Sequence, residues 1–237
     1  MGNTKAVLIF SRDPAKDLIC RGLSRKFSKL VKIPSLTSKV RTTADIHIFT
    51  TKEAAQTLSR SNRAAIHLQK GASFAEKLQN AVDELVHGGY SRIVIVGSDC
   101  PELRSGDIHR AFQNLSVHRL VLGPDHRGGC YLIGIHAEDG GHLQSIIWQA
   151  NSDCAQLQNT FGADNTYLLP IKHDIDSMSD VRILAARKSK WGSIARNLLR
   201  QKPALFLAFP NHFIRLETNL QRAKWQLPPP SSLSSRY

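Results

Sequence analysis

Ile93-Val94-Ile95-Val96-Gly97-Ser98-Asp99-Cys100-Pro101 is the stretch on which the fold turns. Four consecutive β-branched apolar residues fit a strand covered on both faces, as in the middle of a parallel sheet. The Gly-Ser-Asp that follows must leave the sheet at its carboxyl edge, where α/β folds assemble their ligand sites. Asp99 at that edge suits either a hard divalent cation beside a diphosphate or an Asx-turn at a strand-to-helix junction.

The same cadence continues on both sides. Toward the amino terminus come the apolar run at residues 6–10, a turn at Asp13-Pro14 and a helical pattern through Leu18, Leu23, Phe27 and Leu30. Short strands are expected at 46–49 and 65–68, with a short helix at 52–58 between them. Ser73 opens a helix whose apolar face carries Phe74, Leu78, Ala81, Val82 and Leu85, and Glu76 completes a capping box. Toward the carboxyl terminus come a helix at 105–115, strands at 120–122 and 131–135, and a helix at 152–161. A strand at 167–171 and a helix at 179–188 finish the pattern. Strands separated by helices predict an open mixed, mostly parallel α/β sheet of Rossmann-like character, flanked by helices. The expected domain covers residues 1–189. Residues 190–237 read as a basic helical or irregular extension ending in a disordered Pro/Ser tail around Pro228-Pro229-Pro230.

Composition narrows the function classes. The 237 residues are 41% hydrophobic, enough for a core, and no stretch approaches the ~18 apolar residues of a membrane span. With no signal-peptide layout at the start, a cytoplasmic location is expected. Thirty-two Lys and Arg against 19 Asp and Glu give +13, which favours anionic partners: nucleotides, sugar phosphates, nucleic acid or an acidic membrane surface. No run of five or six basic residues occurs and aromatics are only 7%, so nucleic-acid binding rests on net charge alone. Cys20, Cys100, Cys130 and Cys154 are scattered and read as reduced thiols.

Two further segments carry polar chemistry. Asp174-Ile175-Asp176 lies between a strand and a helix; in an extended segment its two carboxylates share a side and could face one cation, while Asp176 or Ser177 could equally cap the next helix. Gly123-Pro124-Asp125-His126-Arg127-Gly128-Gly129 joins two strands with glycines that allow close backbone approach and an arginine suited to a phosphate. It is not a Walker loop.

Taken in order over roughly residues 5 to 185, these segments resemble the radical-SAM/selenodomain-associated transferases, predicted bacterial glycosyltransferases of the glycosyltransferase-A type. The resemblance rests on Phe10-Ser11-Arg12-Asp13-Pro14, on Gln69-Lys70-Gly71 with the helix entry to Lys77, and on Gly97-Ser98-Asp99-Cys100-Pro101. Residues 123–134 and Asp174-Ile175-Asp176 with Asp180 complete it. It implies a nucleotide-diphospho-sugar transferase fold and a metal-dependent transferase that takes a glycosyl or nucleotidyl group from a nucleotide sugar or nucleoside triphosphate. Asp99 and Arg127 would be catalytic. Arg12, Arg21, Ser98, Gly128 and Gly129 would bind the nucleotide, and Asp99 with Asp176 would hold Mg²⁺ or Mn²⁺. The acceptor is not specified, and peripheral association with an anionic membrane is an open role for the extension. The sequence departs from the family at Cys20-Arg21-Gly22, where Lys-Thr-Arg is usual, at Arg127, which replaces an acid, and at Ser73. The rival reading is a catalytically silent relative that binds a nucleotide or a protein partner.

Overall fold

The computed structural model describes residues 4–30, 44–58 and 64–201. The sequence also predicts a polar loop at 34–44 and an apolar run at 205–209; the first falls almost wholly outside these residues, and the second, with the Pro/Ser tail, wholly so. Among the described residues seven strands form one sheet: β1 (Lys5–Phe10), β2 (Asp45–Thr50), β3 (Ala65–Leu68), β4 (Arg92–Val96), β5 (Leu120–Pro124), β6 (Cys130–His136) and β7 (Thr166–Leu168). Their spatial order is β3-β2-β1-β4-β6-β5-β7, which puts β4 at the centre. All pairings are parallel except those of β6, which runs antiparallel to β4 and β5. A five-residue connection from β5 to β6 permits nothing else, since parallel neighbours need a crossover of a dozen residues or more. The mixed, mostly parallel α/β sheet is the architecture that the sequence implies.

The helices are α1 (Pro14–Cys20), α2 (Lys52–Thr57), α3 (Phe74–His87), α4 (Ser105–Asn114), α5 (Asp153–Phe161), α6 (Met178–Ala186) and α7 (Lys190–Arg200). Strand residues alternate between two cores, as a period of two requires. Val7, Ile9, Val94 and Val96 face Ile108, Ala111 and Phe112 of α4. Ala6, Leu8, Ile93 and Ile95 face Leu78, Ala81, Val82 and Leu85 of α3. The interior positions of β1 and β4 are apolar throughout because both faces are covered.

A third cluster joins Leu18 and Leu23 to Ile175, Val181 and Leu184, together with Ala195 and Leu198 of α7. It determines the site, because it brings the ends of the chain's first and last described segments together. The helical pattern expected through Leu30 divides at Gly22, which has φ +69. Gly22 N donates to Ile19 O and Leu23 N to Leu18 O, a Schellman ending that closes α1, and a 3₁₀ turn at Arg25–Leu30 carries the remaining apolar positions. Among the described residues no helix is long and apolar enough to cross a membrane.

Candidate functional site

β1 and β4 point their carboxyl ends at the same edge of the sheet, and the segment before α6 is fastened beside them. Ile175 N donates to Asp99 O at 3.0 Å, while the Ile175 side chain is wholly buried in the third cluster. Asp174 and Asp176, on either side of it, both line one cavity. The β5–β6 hairpin reaches the same edge. Asp125 Oδ1 accepts from Arg127 N at 2.6 Å and Gly129 N at 3.0 Å, and Lys172 N donates to Pro124 O at 3.2 Å.

The cavity measures about 610 Å³. Of the residues singled out in the sequence, Arg12, Arg21, Ser98, Asp99, Arg127, Gly129 and Asp176 line it. Gly128 does not. A side chain at Gly128 would come within 2.2 Å of Asn151 O, so this glycine serves the packing of its loop on the segment before α5. Ser98 Oγ accepts from Ser11 Oγ at 2.8 Å, which ties the turn after β4 to the turn after β1. Gln69 Nε2 bridges Ser11 O at 3.2 Å and Phe49 O at 3.1 Å.

The charged side chains alternate. Arg12 meets Asp17 at 2.9 Å, and Asp17 meets Arg21 at 2.8 Å. Arg21 reaches Asp99 at 3.0 Å and Asp176 at 2.5 Å. The second oxygen of Asp176 accepts from Arg127 at 3.0 Å, and Arg127 also contacts Asp180 at 2.6 Å. Burial raises the Asp176 carboxyl above its ordinary range even with both arginines beside it. Burial would raise Asp180 too, but hydrogen bonds from Ser177 and from the backbone N–H of Asp176, with the charge of Arg127, bring it below that range. Asp174 is pushed well above the usual range by burial and by Asp99 and Asp125.

A divalent cation does not fit these positions. Asp99 and Asp176 were expected to share Mg²⁺ or Mn²⁺; instead one oxygen of Asp99 and both oxygens of Asp176 are bonded to guanidinium groups. Among the described residues no group of three or more His, Cys, Asp or Glu is placed to hold a metal. Asp176 does not cap α6 with its side chain. Ser177 does, in a reciprocal box with Asp180.

Several cavity residues carried no sequence signal strong enough to be named. Asp17 fixes two arginines, and only its i,i+4 spacing to Arg21 could have exposed it. Trp148 lies against Phe74, with ring centroids 5.8 Å apart, in a loop that has no periodicity to read. Its indole N–H is held by Leu143 O at 3.1 Å.

The bacterial family described as "Uncharacterized protein conserved in bacteria (DUF2064)" matches residues 36–150. No curated protein matches the chain. Among solved structures, a candidate nucleotide-diphospho-sugar transferase from Desulfovibrio desulfuricans G20 is 21% identical. It covers 85% of this chain and 98% of its own, with a TM-score of 0.69. A protein from Mycobacterium sp. strain JC1, homologous to one of Mycobacterium tuberculosis, is 11% identical, covering 83% and 100% with a TM-score of 0.58. A CMP:2-keto-3-deoxy-manno-octonic acid synthetase complexed with CTP is 9% identical, covering 82% and 99% with a TM-score of 0.52. By fold, the chain is similar to these solved structures, the nucleotide-diphospho-sugar transferase fold among them.

Proposed function

We propose that the chain binds an activated nucleotide, a nucleoside triphosphate or a nucleotide sugar, and serves transfer of its nucleotidyl or glycosyl group. The observation that supports this is a single cavity, at the edge of the sheet where open α/β folds take ligands, that collects Arg12, Arg21 and Arg127 with Ser98 and Gly129. Its volume of about 610 Å³ lies within the usual range of small-molecule sites. The synthetase of similar fold is itself complexed with CTP, which supports the same ligand class. In this reading Arg12 and Arg127 meet the donor phosphates. Their forked donors suit phosphate oxygens and stabilise charge that grows on a leaving phosphate. Asp99 orients Arg21, and the Ser98 hydroxyl and Gly129 complete the wall.

Thermal-shift titration with CTP, other nucleoside triphosphates and nucleotide sugars, each with and without Mg²⁺ or Mn²⁺, tests the proposal. A saturable rise in melting temperature is expected for at least one donor. Arg127→Asp should weaken that binding by ~1.5–3 kcal/mol, the worth of a charge-assisted contact. No shift with any nucleotide would remove the reading. A second reading, a catalytically silent nucleotide binder, is favoured by the pairing of every cavity arginine with a carboxylate. Binding without donor hydrolysis or transfer to any acceptor would select it. Contact of the basic carboxyl-terminal segment with an anionic membrane is a separate, finer proposal.

A further inference from the structure

Arg21 directly follows α1, and its backbone N donates to Asp17 O at 3.1 Å. Its guanidinium meets three carboxylates from three separate segments: Asp17 at 2.8 Å, Asp99 at 3.0 Å and Asp176 at 2.5 Å. A further bond runs to the Ile175 carbonyl at 2.9 Å. The side chain is only 22% exposed and both terminal nitrogens are engaged. Burial alone would favour the neutral guanidine, but Asp99, Asp17 and Asp176 outweigh it and hold the positive charge more firmly than usual.

Asp99 and Asp176 are the two acids that a divalent ion would have to bridge. One delocalised monocation bridges them instead. Mg²⁺ demands near-octahedral oxygen ligands at about 2.0–2.1 Å. The oxygens turned toward this space are spread around a planar fork, and a second positive charge beside the guanidinium would be repelled. Asp176 has no oxygen to spare, since Arg127 takes the other at 3.0 Å.

We propose that Arg21 is the resident cation of this cavity, replacing a divalent ion between Asp99 and Asp176, so that the site receives its anionic ligand without a metal. The ligand's identity rests on the nucleotide reading above, but the replacement of the metal does not. With both terminal nitrogens engaged, the Arg21 guanidinium supplies positive charge rather than an empty coordination position, so it can offset the charge of phosphate oxygens but cannot polarise them as a Lewis acid.

The test uses Mn²⁺ alone, with the full chain and no nucleotide, followed by electron paramagnetic resonance and by melting temperature. The wild-type protein is expected to bind Mn²⁺ no tighter than about 1 mM and to melt at the same temperature with or without it. Arg21→Ala, which leaves Asp99 and Asp176 without their bridging cation, should bind Mn²⁺ at least about tenfold more tightly. Adding Asp99→Asn should abolish the gain, and Arg21→Lys should not show it. Micromolar Mn²⁺ binding by the wild type that Asp99→Asn removes would overturn the proposal. So would a folded Arg21→Ala protein with no gain in affinity. If Arg21→Ala does not fold, the wild-type titration decides alone. Failure of every nucleotide to bind the wild type would remove the donor reading and leave the Mn²⁺ result standing.

Discussion

Asp174 is 6% exposed, and among the described residues its Oδ1 has no hydrogen-bond partner. Burial raises its pKa, and Asp99 and Asp125 add to the effect, so the folded state holds a proton that the unfolded chain gives up near pH 4. A folded-state pKa above the unfolded one means that stability declines as pH rises from about 4 toward the folded value. Asp174→Asn removes this titration. The melting temperature of the variant, compared with wild type, should gain as pH rises above about 4; equal slopes for the two proteins would show that Asp174 does not carry the proton. Residue identities were readable in the sequence, pairings were not. Arg21 and Arg127 both stood out as departures from the motif, yet they meet at one carboxylate, 155 and 49 residues away respectively. Spacing within a segment reports which side chains share a face, but only the third cluster, which seats Ile175 against Leu18, brings residues 21 and 176 together.

The elements themselves were legible wherever a local rule decided them. Ser73 accepts from Glu76 N at 3.1 Å while Glu76 reaches back to Ser73 N, the reciprocal box that the spacing predicts. Ser73→Ala should cost about 1 kcal/mol in urea unfolding, with little change in the steepness of the transition. A loss below ~0.3 kcal/mol would mean that packing of Leu78, Val82 and Leu85 already fixes the start of α3. α1 was harder to read, because Leu18, Leu23, Phe27 and Leu30 share a face in a helix and also across the Schellman turn at Gly22. The short strand β7, three residues against an expected five, is interrupted at Pro170, which has no N–H to donate, although bonding to β5 resumes where Lys172 N meets Pro124 O. Nothing in the composition of residues 137–145 marks their 3₁₀ turn.

Seen across the molecule, α7 belongs with the elements that hold the cavity's acids. Ala195 and Leu198 are buried beside Leu23, Phe27 and Leu184, and Trp191, Ile194 and Leu199 pack around them. Deleting residues 190–237 should expose that cluster and destabilise the domain by several kcal/mol, at roughly 1.5–3 kcal/mol for each large apolar side chain fully returned to water. The fall in melting temperature should come with weaker nucleotide binding, since Ile175 loses part of its support. A truncated chain that melts like the full one would refute this account. Sedimentation of the full chain with anionic vesicles, and its loss on truncation, would support the membrane proposal, whereas no sedimentation of the full chain would end it. The order of strands was foreseeable only in part. Alternation implied a parallel sheet and the short hairpin implied one reversed strand, but the insertion of β6 between β4 and β5 is a long-range choice with no local cause.

That insertion has a mechanical consequence. Because β6 runs against its neighbours, the hairpin carrying Arg127 is clamped at both ends by the ladder, and Gly128 lies flush against Asn151. The hairpin therefore stands as a fixed jamb on this flank of the cavity.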